Sequence, residues 1–130
     1  MSLQAKLQIA STEFQKLQND LSNIVEARQR LDAQLSENEL VRKEFQQLTT
    51  VNVVFKLTGP VLVKQDQGEA KSNVETRLDF IRSEIKRVET QLKDIEEKQE
   101  RKKLELVDIQ TAIQQQHAPV PPKHPAVLTA

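Results

Sequence analysis

The side chains best suited to acid–base or metal chemistry are His117 and His124, the only two histidines, seven positions apart in the run His-Ala-Pro-Val-Pro-Pro-Lys-His-Pro. Imidazoles work as general bases or metal ligands when a rigid element aims them, and a proline-rich run supplies none. Cysteine is absent, which excludes disulfides and thiolate nucleophiles and fits a reducing compartment. The only glycines are Gly59 and Gly68, so no phosphate-cradling loop exists. The carboxylates alternate with Lys and Arg along stretches that read as helix surface. These residues predict a protein that is not an enzyme, takes no metal or cofactor, neither binds nor hydrolyses ATP, and works through binding energy alone.

Charge narrows the partners. Nineteen basic and nineteen acidic residues cancel, leaving no long-range field for phosphate backbones or anionic lipid. Neither nucleic acid nor membrane is an expected partner. No apolar run approaches the ~18 residues of a membrane span, and the N-terminus lacks a basic-then-apolar leader pattern, so a cytoplasmic protein is expected.

The elements that must carry the binding surfaces are set by two heptad seams. Stepping alternately by four and three from Leu3 reaches Leu7, Ala10, Phe14, Leu17, Leu21, Ile24, Arg28, Leu31, Leu35, Asn38, Arg42 and Phe45, with ten of thirteen positions apolar. The same stepping from Val74 reaches Leu78, Ile81, Ile85, Val88, Leu92, Ile95, Gln99, Lys102, Leu106, Ile109 and Ile113, with ten of twelve apolar. A repeat of about 3.5 residues sustained this far marks a coiled coil. The composition, 130 residues with 37% apolar, 29% charged and four aromatics, suits long helices better than a compact core.

Between the seams the period changes. Thr49 to Leu57 is rich in β-branched and aromatic residues and reads as a strand, with Val51, Val53, Phe55 and Leu57 on one face and Asn52, Val54 and Lys56 on the other. Thr58, Gly59 and Pro60 supply a turn, and Val61 to Lys64 a second strand. The second helix starts either at Asp66, with Glu69 three residues on, or at Ser72, with Glu75 three residues on. Both match a capping box, and the first is favoured. Glu39–Lys43, Glu89–Lys93, Asp94–Lys98 and Glu97–Arg101 stand at acid-before-base i,i+4 spacing on a solvated surface.

The fold class expected is all-α dominated: a long antiparallel two-helix coiled coil joined by a β-hairpin. One domain spans residues 1–116, with a helix over about 2–48, a hairpin over about 50–64 and a helix over about 67–116. Residues 117–130 form a disordered proline-rich tail, passive rather than a ligand for an adaptor domain.

Two surfaces then stand out. A lone hairpin is marginal in water and leaves its edges open, yet this one carries Val51, Val53, Val54, Phe55, Leu57, Val61, Leu62 and Val63, and Leu40, Val41, Leu48 and Phe80 beside it fall off the seams. Several copies or relatives are expected to pool such hairpins into an intersubunit β-barrel. At the other ends of the helices Leu3, Leu7, Ile9 and Phe14 gather on the first, and Leu104, Leu106, Val107, Ile109 and Ile113 on the second. Ile9, Leu104 and Val107 lie off the seam, which makes these ends an apolar contact for another chain.

Asn52-Val53-Val54-Phe55-Lys56-Leu57-Thr58-Gly59-Pro60-Val61-Leu62-Val63-Lys64-Gln65 resembles the hairpin signature of beta-class prefoldin subunits, and Arg77-Leu78-Asp79-Phe80-Ile81-Arg82-Ser83-Glu84-Ile85-Lys86-Arg87 resembles the start of their second helix. The resemblance spans roughly residues 3–116 and leaves the tail out. It implies a heterohexamer of two alpha-class and four beta-class subunits with a double β-barrel body and six coiled-coil tentacles. Such complexes are ATP-independent holdases that capture unfolded actin, tubulin and other chains and pass them to the cytosolic group II chaperonin. By positional match, Val53, Phe55, Leu57, Val61 and Val63 would serve the barrel, and Leu3, Leu7, Ile9, Leu106, Ile109 and Ile113 the client-binding tips. The alternative is a structural or tethering coiled coil in a cytoskeletal or trafficking complex, which explains both seams but has no use for an apolar hairpin.

Overall fold

The computed structural model describes residues 1–117, with four elements in the order α1 (Leu3–Gln46), β1 (Val54–Thr58), β2 (Val61–Gln65) and α2 (Gln67–His117). The proline-rich tail expectation lies outside the described residues, apart from His117, which closes α2.

Each helix begins at a side-chain cap. Ser2 Oγ accepts from Ala5 N–H at 3.1 Å and the Ser2 carbonyl from Lys6 N–H at 3.0 Å. Asp66 Oδ2 accepts from Glu69 N–H at 3.0 Å and its carbonyl from Ala70 N–H at 2.9 Å. Asp66 is thus the N-cap, and the alternative start at Ser72 falls inside α2. α1 ends by tightening, as Gln47 and Leu48 N–H reach back three residues to Glu44 and Phe45.

The described chain divides into two compact units, residues 20–95 and residues 1–19 with 96–117. In residues 20–95 the helices pair antiparallel, because Arg28 bonds Glu89 at 2.8 Å while Arg42, further along α1, bonds Glu75, earlier in α2, at 3.8 Å. Ala70, Val74, Leu78, Ile81, Ile85 and Val88 are buried there, and Leu21, Ile24, Leu31, Leu35 and Phe45 are half-buried. In residues 1–19 with 96–117 only Ala10 is buried among the described residues, while Leu3, Leu7, Phe14, Leu17, Leu106, Ile109 and Ile113 are half-buried. Lys102 crosses to Glu13 and also bonds Glu105. All twenty-five seam positions, polar ones included, are buried or half-buried.

Two expectations need correction. The first strand begins at Val54, and residues 49–52 before it form a turn. β-branched composition suggests a strand there, but Asn52 Oδ1 accepts from Thr49 N–H and Oγ1 at 2.7 and 3.0 Å, and Asn52 N–H donates to the Thr49 carbonyl at 3.1 Å. An Asn that bonds its neighbours' backbone in this way competes with a ladder. Val51 and Val53 therefore lie outside the sheet. Among the described residues, none of the four anticipated i,i+4 pairs is an ion pair: Glu39 and Glu89 turn instead to Arg82 and Arg28 of the opposite helix. An arginine fork facing a carboxylate across the seam flank outcompetes a same-helix lysine.

Candidate functional site

The hairpin is built around a two-residue loop. Gly59 has φ +59°, and Pro60, whose ring fixes a negative φ, follows it. Positive then negative φ is the type II′ turn, which suits the right-handed twist of the flanking strands. Pairing runs Val54 with Gln65, Phe55 with Lys64, Lys56 with Val63, Leu57 with Leu62, and Thr58 with Val61.

Directly opposed residues share a face, so this register sorts the apolar side chains. Phe55, Leu57 and Leu62 stand on one face with Lys64. Val54, Val61 and Val63 stand on the other with Lys56, Thr58 and Gln65. Of the residues that the resemblance matches to the barrel, Phe55 and Leu57 thus stand on one face and Val61 and Val63 on the other, while Val53 precedes β1. Periodicity along one strand cannot supply this, because the pairing of the second strand depends on the loop length.

Both faces meet solvent. Val51 is 84% exposed, Leu57 68% and Leu62 64%, and Val53, Phe55, Val61 and Val63 are each at least half exposed. Among the apolar residues of the two strands, Val54 alone is half-buried. It lines an open groove together with Val41, Phe45, Phe55, Val74 and Phe80, where Phe80 is 63% exposed. Leu40, off the seam, is exposed too. The two-stranded sheet also leaves an outer edge of each strand with unpaired backbone donors and acceptors. Apolar faces plus open edges are what a further strand or a second sheet would cover.

The second candidate surface lies in residues 1–19 with 96–117. Ile9, Leu104 and Val107 are exposed, whereas Leu3, Leu7, Leu106, Ile109 and Ile113 sit half-buried along the seam. The first three are therefore open to a partner directly. The other five offer only their outer edges.

Two ion-paired groups on the helices have shifted pKa values. Hydrogen bonds from Lys102 to Glu105 and then to Glu13 raise the Lys102 ammonium above its ordinary pKa, with its side chain 18% exposed. Glu84 lies below the usual carboxylate range because Arg87 donates to it, Nη2 to Oε2 at 2.7 Å. Among the described residues there is no cluster of three or more His, Cys, Asp and Glu that could hold a metal, and no helix is long and apolar enough to cross a membrane.

Sequence reasoning identified the exposed hydrophobics but missed the groove at Phe80 and the side chain of Gln67, which reaches back to the turn before β1. The capping box at Asp66 located the start of α2. Nothing in the local pattern revealed that its first residue bonds a segment fifteen or more positions earlier.

Comparison with known proteins agrees with this geometry. The model of a family described as Prefoldin subunit matches residues 8–116. The chain is 48% identical over 116 residues to prefoldin subunit 6 of Bos taurus, covering 89% of this chain and 90% of that protein. It is 44% identical over 97 residues to prefoldin subunit 6 of Saccharomyces cerevisiae, covering 75% and 85% respectively. The crystal structure of the prefoldin beta subunit from Thermococcus strain KS-1 superposes with a TM-score of 0.67 over 88% of this chain and 95% of that one, at 22% identity, and shares the fold. A family match across nearly all of both helices and the hairpin, together with relatives of this similarity, leads to one conclusion: the chain belongs to the prefoldin subunit family.

Proposed function

We propose that this chain is a chaperone subunit that assembles with other prefoldin subunits, two of alpha class and four of beta class, into a cytoplasmic, ATP-independent holdase. The observation that carries the reading is the hairpin, apolar on both faces and exposed on both. Such a surface is costly for a monomer and useful in an assembly, where neighbouring strands cover it. Phe55, Leu57 and Leu62 would meet one neighbouring surface and Val54, Val61 and Val63 another, with Val51 and Val53 at the rim.

Clients, unfolded actin and tubulin among them, would be held at the helix ends by Ile9, Leu104 and Val107, with Leu3, Leu7, Leu106, Ile109 and Ile113 contributing as the ends repack. They would then pass to the cytosolic group II chaperonin. Each end buries little apolar area, so a single contact is weak and short-lived, while several ends acting on one client raise the effective concentration of every later contact. Capture and release then require no nucleotide.

The test is reconstitution of the complex with and without this chain, followed by light scattering of chemically unfolded actin diluted into it. The complete complex is expected to suppress aggregation equally with and without ATP. Equal suppression by the subunits lacking this chain, or a requirement for ATP, overturns the reading.

A further inference from the structure

The hairpin stands on two legs of unequal stiffness. β2 ends at Gln65 and α2 starts at Gln67, so Asp66 alone joins them. On the other leg residues 47–53 separate α1 from β1, a stretch without ladder bonds that would by itself let the hairpin swing. The Gln67 side chain spans the gap. Its Nε2 donates to the Thr49 carbonyl at 2.6 Å and to the Asn52 carbonyl at 2.9 Å, and the Thr49–Asn52 turn is itself closed by the Asn52 amide.

We propose that Gln67 is a positioning residue for assembly: its amide clasps the long leg of the hairpin to the first turn of α2, so that the faces of β1 and β2 meet partner subunits in one fixed direction. A planar amide carries two N–H donors and can serve two carbonyls at once. A carboxylate of the same shape offers none. Fixing the hairpin before association removes the ordering cost that a swinging element would bear on binding. This inference rests on the reading of the hairpin as the assembly surface.

Gln67→Glu isolates the effect. It keeps the size, removes both donors, and places a negative charge in the first turn of α2, where the helix dipole favours it, so the helix is not weakened. The full-length variant is titrated against the remaining prefoldin subunits, its unfolding is followed by circular dichroism, and amide exchange is read at residues 49–53.

Affinity is expected to fall roughly tenfold or more, with faster exchange at residues 49–53 and no drop in the unfolding temperature. Affinity within about twofold of the parent, or a loss matched by a lower unfolding temperature, overturns the clasp. Phe55→Asp run in parallel separates the two levels. If it abolishes binding while Gln67→Glu binds normally, the clasp alone is wrong; if Phe55→Asp also binds normally, the hairpin reading is what fails.

Discussion

Leu78 is the one large side chain wholly withdrawn from solvent among the described residues, and it sits where Asn38 and Arg77 bond across the helices at 3.5 Å. Truncating it leaves a cavity that two helices have few neighbours to fill. Leu78→Ala should lower unfolding stability by about 2–5 kcal/mol, read from urea unfolding of the assembled protein. Lys102 gives the opposite lesson, since a cation occupies a seam position and is held there by Glu105 and Glu13. Its raised pKa means that its stabilising contribution is complete below the ordinary lysine range and is lost as pH climbs through the raised value. Once corrected for intrinsic base catalysis, protection of amides in residues 1–19 and 96–117 should therefore fall at strongly alkaline pH, and Lys102→Met should flatten that dependence. Exchange with the same pH profile in both proteins would contradict it. The sequence marks Lys102 as a polar interruption of the seam, but Glu13 lies 89 positions away and no local pattern links the two.

At the scale of elements, periodicity was the strongest guide because burial in a helix pair repeats with the turn of the helix. Every step of both seams is at least half-buried, including Arg28, Asn38, Arg42, Gln99 and Lys102. The hairpin was harder. Its turn chemistry was legible in Gly59 and Pro60, whereas its faces follow from pairing across the loop, and its first strand is shortened by side-chain bonds at Thr49 and Asn52. Composition reports β-propensity but is blind to an amide that bonds backbone from a distance. The cap at Asp66 joins the two kinds of element directly. Asp66→Ala frees the Glu69 N–H and should cost about 1 kcal/mol of helix stability, seen as a lower unfolding temperature, while Asp66→Asn should keep most of it. Equal stability of all three proteins would mean that the cap is dispensable.

On the scale of the whole molecule, the two apolar surfaces lie on separate units and differ in kind. The hairpin surface is extensive, two-faced and edged with free backbone groups, which suits lasting association with strands of defined register. The surface at Ile9, Leu104 and Val107 is small and helical, which suits brief contacts with chains lacking fixed shape. Changing Ile9, Leu104 and Val107 to Ser should therefore leave assembly intact while sharply reducing suppression of actin aggregation, by severalfold in light scattering. Undiminished suppression would remove these residues from client binding. Changing Leu57 and Leu62 to Asp should do the reverse, disrupting assembly before any client is added.

The central claim is that the exposed hairpin is completed by other prefoldin subunits, and the most direct test is a native mass spectrum of this protein purified from its own cell. The expected result is a six-chain assembly containing this chain with other subunits of the family. A folded monomer, or a dimer of this chain alone with protected amides throughout β1 and β2, would contradict it.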